Sequence, residues 1–182
     1  MLIGLTGVKR SGKSTAAARL EACGFRRTAF ADPLKEMLAA LGLTQEQLYG
    51  GEKEVPLDLL CGHTPRTAMQ TLGTEWGRAC LGEALWRNAW RARVRAIWAA
   101  NPTASVVVED VRFPDEVAEV KALGGVVLRI WRPSLCAGVD LHASEREILG
   151  LVVDAVVLND GDMALLGARV RAAVARYGRA AA

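Results

Sequence analysis

The stretch GVKRSGKST, residues 7 to 15, follows directly on the apolar run MLIGLT, and it leaves the chain few ways to fold. Gly7-x-x-x-x-Gly12-Lys13-Ser14 is the P-loop pattern, which needs a buried strand before it and a helix after it. Gly7 and Gly12 let the backbone curl so that successive N–H groups point inward at phosphate oxygens, and the helix starting near Lys13 adds its positive dipole end. In such a loop Lys13 reaches the β and γ phosphates, Ser14 ligates magnesium and Thr15 supports the α phosphate. Lys9 and Arg10 either contact the nucleotide or are solvated charges. A glycine-rich turn without a ligand would use the same letters, but the strand-before, helix-after context argues for the nucleotide.

The rest of the chain reads as an α/β rhythm around that loop. Buried-strand patterns fall at 2–6, 26–31, 105–111, 125–131 and 153–159, and helical ones at 13–23, 115–123 and about 162–177. Helical segments near 33–41, 44–49, 65–80 and 83–100, separated by Gly and Pro signals, form an insertion between the second and third strands. Short β-branched runs alternating with helices predict a mostly parallel five-stranded sheet covered on both faces, which together with the phosphate-loop motif makes a three-layer P-loop NTPase fold the expected architecture. The expected organisation is a single domain over 1–182, with a helical acceptor-binding insertion at about 33–100 and a short lid at about 132–148.

Composition narrows the partners. The chain is 51% apolar and 24% charged, with a net charge of +3, so charge alone gives no reason to expect nucleic acid. Cys23, Cys61, Cys80 and Cys136 include no CxxC pair, and only Cys61 and His63 suggest even half a metal site. Reduced, mostly buried thiols and no zinc are expected. The apolar run before Lys9 is too short for a signal peptide and no segment reaches the length of a membrane span, so the expected location is the cytoplasm.

A P-loop does not separate a kinase from a GTPase or a motor ATPase. No Asn-Lys-x-Asp guanine-reading motif is present, and the helical insertion suits a small-molecule kinase, since it can hold an acceptor. The blocks FADPLKEML, TPRTAMQTLGTEWGR, VVVEDVRFPDE, HASE and DAVVLNDG follow GVKRSGKST in that order. Together they resemble the deoxynucleoside monophosphate kinases of bacteriophages over nearly the whole chain. The resemblance implies ATP-dependent phosphorylation of a deoxynucleoside 5′-monophosphate, with ATP and Mg2+ as cofactors. The first and last blocks are also similar to dephospho-coenzyme A kinase, the alternative reading, although that family would be expected to show Asp-x-Asp where this chain has Phe30-Ala31-Asp32. A non-kinase P-loop nucleotide-binding protein is the competitor from another class.

Each further candidate has a plainer alternative. Asp32, at the end of the second strand, suits the acceptor's proton or a magnesium water, or else caps the helix that begins with Pro33; Lys35 is a weaker candidate for the acceptor phosphate. Arg66 and Arg78 are arginine forks suited to a monophosphate dianion, or surface charges. They flank a helix whose Met69, Leu72, Trp76 and Cys80 can form one apolar face. Gln70 and Trp76 are expected at the acceptor's base, with core packing the alternative for Trp76. Asp110, chosen over Glu109, matches the family's Asp-Val-Arg and would hold magnesium, while Arg112 points back to the active edge or pairs with Asp110. Arg129 and Arg132 would supply a lid arginine, Arg132 being the choice. His142 and Glu145 match the family's His-x-Ser-Glu, with Ser144 better read as a helix cap. Asn159 and Gly161 would offer an adenine loop, or a simple turn. Trp86, Trp90, Val94, Ile97 and Trp98 form a stripe read as core beside a solvated basic face of Arg87, Arg91 and Arg95. The expected partners are a nucleotide substrate and at most a second copy in a homodimer, with neither nucleic acid nor membrane.

Overall fold

The computed structural model describes residues 1–135 and 143–178. The chain divides into two compact units, one made of Met1–Ala29 with Ala96–Ala182 and the other of Phe30–Arg95.

The first unit is built on a five-stranded sheet of order β2-β3-β1-β4-β5, in which β1 is Leu2–Thr6, β2 Arg26–Thr28, β3 Val106–Val108, β4 Val126–Trp131 and β5 Ala155–Leu158. All four pairings are parallel, with Ile3 beside both Val107 and Val126. Every residue of β1 is buried, because a central parallel strand is covered on both faces. On one face Ile3, Leu5, Val107, Leu128, Ile130 and Val157 pack with Ala16, Ala17 and Leu20 of α1 (Lys13–Glu21) and with Leu166 and Val170 of α8 (Met163–Gly178). On the other face α6 (Pro114–Ala122) sits so close that a Cβ on Gly4 would stand 3.4 Å from Val120. The chain leaves β1 for β2, returns to β3 on one side of β1, then crosses to β4 on the other. That reversal opens a crevice at the carboxyl ends of the strands beside β1, where the phosphate loop begins.

Two strands end earlier than the β-branched runs suggest. The β2–β3 ladder stops at Thr28 and Val108. Beyond it Glu109 N donates to Thr28 O and Val111 N to Leu5 O (3.1 and 3.2 Å), so the chain bends across the sheet's end instead of extending it.

The second unit is helical. It contains α2 (Asp32–Ala40), α3 (Gln45–Tyr49), α4 (Pro65–Gln70) and the start of α5 (Leu85–Ala100). Thr44 and Gln47 form a reciprocal capping box on α3, and Thr64 caps α4 by accepting from Thr67 N (3.1 Å). Leu34, Leu38, Leu43, Leu48 and Trp86 make its core, with Met69 and Leu72 against them. The stripe on α5 is core at Trp86, Trp90 and Val94, as expected, and Phe30 meets Trp90 at 4.4 Å between ring centroids. The single helix expected over 65–80 is not one helix: α4 gives way at Thr71 to a π-helix running to Leu81. With i→i+5 winding the expected face breaks up, for Met69 and Leu72 pack inward while Trp76 and Cys80 are exposed. The expectation of mostly buried thiols is also corrected, since Cys23, Cys61 and Cys80 are all free and exposed; Cys136 lies outside the described residues.

Candidate functional site

The loop after β1 is shaped by three residues in the left-handed half of backbone space. Gly7 has φ +147°, and a Cβ there would stand 2.5 Å from Ile130 O. Gly12, at the N-cap of α1, has φ +105°, and its Cβ would stand 2.5 Å from Asn159 Nδ2. Only glycine meets both demands without strain. Arg10 takes φ +65° despite carrying a side chain, a conformation that costs about 1–2 kcal/mol. Lys13 Nζ lies across the loop, donating to Gly7 O (2.7 Å) and Val8 O (2.8 Å). Gly12 at the N-cap supplies no side-chain cap to α1, so the first-turn N–H groups keep their preference for an anion. Among the described residues the buried hydroxyls of Thr6 and Ser11 find no hydrogen-bond partner.

A cavity of about 540 Å³ opens on this loop. It collects Arg10, Gly12, Lys13, Ser14 and Thr15 with Arg132, Asn159 and Gly161, residues 117 or more positions away in sequence. Asp162, Met163 and Leu166 also line it and were not anticipated; the Asn-Asp-Gly turn that opens α8 was the available signal. Asp162 Oδ1 accepts from Leu165 N (2.7 Å), capping α8. Asn159 is more than a loop residue, because Nδ2 donates to Ser11 O (2.8 Å) and its backbone N to Trp131 O (2.7 Å). It therefore braces the phosphate loop from the far side of the sheet edge. Asp160 pairs with Arg169 at 2.5 Å, and that hydrogen bond holds its carboxyl below the ordinary aspartate range.

Of the two arginines near the end of β4, only Arg132 lines the cavity. Arg129 is half-buried and donates to Leu151 O (2.6 Å) and Ile148 O (3.3 Å), fastening the end of α7 (Ala143–Gly150). Burial lowers its pKa.

After β3, Glu109 is held by Arg27 through two hydrogen bonds of 2.8 and 2.7 Å. Asp110, the next residue, is half-buried. Arg112 has an exposed side chain, and its backbone N donates to Glu116 Oε2 (2.7 Å). Lys9 is exposed. Among the described residues no group of three or more His, Cys, Asp or Glu is placed to hold a metal. The hard oxygen donors Ser14 and Asp110 fit magnesium, which is bound through one or two protein oxygens, substrate phosphates and water.

In the helical unit, α2 starts at Asp32 itself, with Ala31 at the N-cap making no side-chain cap hydrogen bond. Asp32 does not take the capping role; instead it faces Arg93 at 3.6 Å. Arg93 also binds Glu36 at 2.5 Å, a hydrogen bond that raises its pKa, with Asp32 adding to the effect. Arg93 was missed because its place among the α5 arginines reads as solvent-facing. Lys35 lies 3.9 Å over the Tyr49 ring, a cation–π contact. Arg66 is ion-paired with Glu54. Gln70 is exposed at the last residue of α4, and Arg78 is half-buried within the π-helix. Residues 136–142 of the expected lid, with Gly138 and His142, lie outside the described residues, as do the side chains of Ser144 and Glu145. No described helix is long and apolar enough to cross a membrane.

Residues 61–170 match the model of a family described as deoxynucleotide monophosphate kinase. A protein of Acanthamoeba polyphaga mimivirus, provisionally named a deoxynucleotide monophosphate kinase, is 40% identical over 172 residues, covering 88% of this chain and 89% of its own. Among solved structures, a dephospho-CoA kinase from Campylobacter jejuni superposes with TM-score 0.54 at 14% identity, covering 100% of this chain and 98% of that one. A shikimate kinase from Aquifex aeolicus does so with TM-score 0.51 at 15% identity, covering 98% of each. At such identities these structures share the fold, the α/β architecture of P-loop kinases.

Proposed function

The chain belongs to the deoxynucleotide monophosphate kinase family and is thus a phosphotransferase acting on nucleotides, and we propose that it transfers the γ-phosphoryl group of ATP to a deoxynucleoside 5′-monophosphate, giving the diphosphate and ADP. The observation that carries this reading is the cavity that joins Lys13, Ser14 and Thr15 to Arg10, Arg132 and Asn159. A triphosphate needs a backbone cradle, cations for its charge and a wall for its base, and these residues offer all three.

In this reading Lys13 exchanges its bonds to Gly7 O and Val8 O for β- and γ-phosphate oxygens, and the N–H groups of the loop and of α1 take the others. Ser14 and Asp110 hold magnesium, which neutralises charge on the phosphates when bound. Arg10 and Arg132 stabilise the charge that spreads over the migrating group, with Arg112 supporting them. Asn159 keeps the loop in register through Ser11 O, and Gly161 leaves room for the adenine. On the acceptor side Arg66 and Arg78 grip the 5′-phosphate, Gln70 and Trp76 meet the base, Lys35 adds charge, and Asp32, fixed by Arg93, accepts the proton. Arg66 must then leave Glu54, an exposed pair worth at most about 1 kcal/mol.

The acceptor assignment is tested with Arg66→Met and Arg78→Met, which keep the stem's packing and remove the fork. The acceptor KM rises while the ATP KM barely moves. A raised ATP KM in both variants would move these arginines to the donor side.

A further inference from the structure

From Thr71 to Leu81 the chain runs eleven residues in π-helical winding, closed by Gly82 N on Gly77 O at 3.1 Å. Such runs are rare and occur mostly as single turns at functional sites, so a run this long must be held against ordinary α winding. Trp86 is placed to hold it. Its Nε1 donates to Gly73 O (2.7 Å), and its ring fills the space beside Gly77, where a Cβ would come within 2.5–2.6 Å of Cζ2, Nε1 and Cε2.

The winding decides which side chains face inward. With i→i+5 bonds the fifth residue along takes the place on the helix face that the fourth takes in α winding, so Gly77 stands on the same face as Leu72. Leu72 packs against the core and Gly77 is buried under the Trp86 ring. In α winding Leu72 would be followed by Trp76, and a second indole would be driven toward the place Trp86 occupies. Instead Trp76 stands 40% exposed, its ring 6.2 Å from that of Trp86 and tilted by 46°. An exposed indole backed by a buried one suits a flat heteroaromatic ring, because stacking needs a fixed face more than it needs hydrogen-bond partners.

We propose that Trp86 is a positioning residue for acceptor binding: bonded to Gly73 and seated over Gly77, it keeps Thr71–Leu81 in π winding and so holds Trp76 outward to stack on the acceptor's base. The inference rests on the reading that Trp76 belongs to the acceptor side.

The test is steady-state kinetics, with acceptor and ATP varied separately, on Trp86→Phe, Gly77→Ala, their double variant and Trp76→Leu. Trp86→Phe keeps a ring and loses the Nε1 donor. It raises the acceptor KM about tenfold and leaves the ATP KM within about twofold. Gly77→Ala acts in the same direction, and the double variant falls short of the product of the single effects, because both substitutions break one contact. A purely structural Trp86 would lower the melting temperature and the active fraction with both KM values unchanged, and that result overturns the proposal. Trp76→Leu separates the proposal from its premise. If Trp76→Leu raises the acceptor KM and Trp86→Phe does not, the proposal fails and the acceptor reading stands; if Trp76→Leu leaves the acceptor KM unchanged, both fail.

Discussion

Substituting Gly12 by alanine probes how the phosphate loop is held. At φ +105° a side chain costs about 1–2 kcal/mol of backbone strain. The new Cβ would also stand 2.5 Å from Asn159 Nδ2. That atom ends a short side chain and can move, but only by giving up its 2.8 Å bond to Ser11 O, worth about 1 kcal/mol. The expected loss is roughly 2–3 kcal/mol, or a melting temperature lower by about 5–10 °C for a chain of this size. Because the displaced bond braces the loop, the ATP KM should rise as well. Thermal unfolding of Gly12→Ala, Asn159→Ala and the double variant gives a cycle with a stated sign. With Asn159 already shortened, Gly12→Ala retains only the strain, so the double variant is less destabilised than the sum by about 1 kcal/mol. Strict additivity would refute the idea that Asn159 and Gly12 meet at the loop.

Three further outcomes follow from the same geometry. Lys13→Ala stays folded but loses about a thousandfold in turnover, some 4 kcal/mol of transition-state stabilisation; near-normal ADP release would remove Lys13 from the chemistry. Arg93→Met leaves Asp32 and Glu36 without their shared cation, so kcat falls with little change in the ATP KM, whereas an unaltered pH–rate profile would mean that Arg93 does not act on Asp32. Arg169→Gln removes the donor that holds the Asp160 carboxyl below its ordinary range. A depressed folded-state pKa stabilises above the unfolded value of about 3.9 and is lost as pH falls through the lower folded value. The melting temperatures of variant and parent should therefore converge on acidification below the ordinary aspartate range, and a gap that widens there would contradict the pairing.

What the sequence made legible was local. β1, the loop and α1 could be placed because Gly7, Gly12 and Lys13 constrain one another within a few residues, and the remaining strands announced themselves through β-branched runs. Their ends were less readable, since Thr28 and Val108 stop where the ladder stops, and a ladder belongs to two strands at once. The π-helix was invisible to a search for helical period because its cause is tertiary: Trp86 reaches back to Gly73 and Gly77. Asn159 stands out in sequence only by its place after the last strand, whereas its bond to Ser11 joins residues 148 apart. Glu109 is engaged by Arg27 across 82 residues, and Arg93 finds Asp32 across two helices. Charged residues on a helix face all look solvated in sequence, and only their partners tell them apart.

The central claim, that a nucleotide's phosphate passes to a deoxynucleoside monophosphate, is tested most directly by acceptor-dependent ADP release. The purified chain with ATP and magnesium is offered the common deoxynucleoside monophosphates, their ribose counterparts, a free deoxynucleoside and dephospho-coenzyme A. Rapid ADP release is expected with at least one deoxynucleoside monophosphate and very little with the free deoxynucleoside, which lacks the 5′-phosphate that Arg66 and Arg78 would bind. Turnover of dephospho-coenzyme A alone, or ATP binding with no acceptor-dependent release, would contradict it.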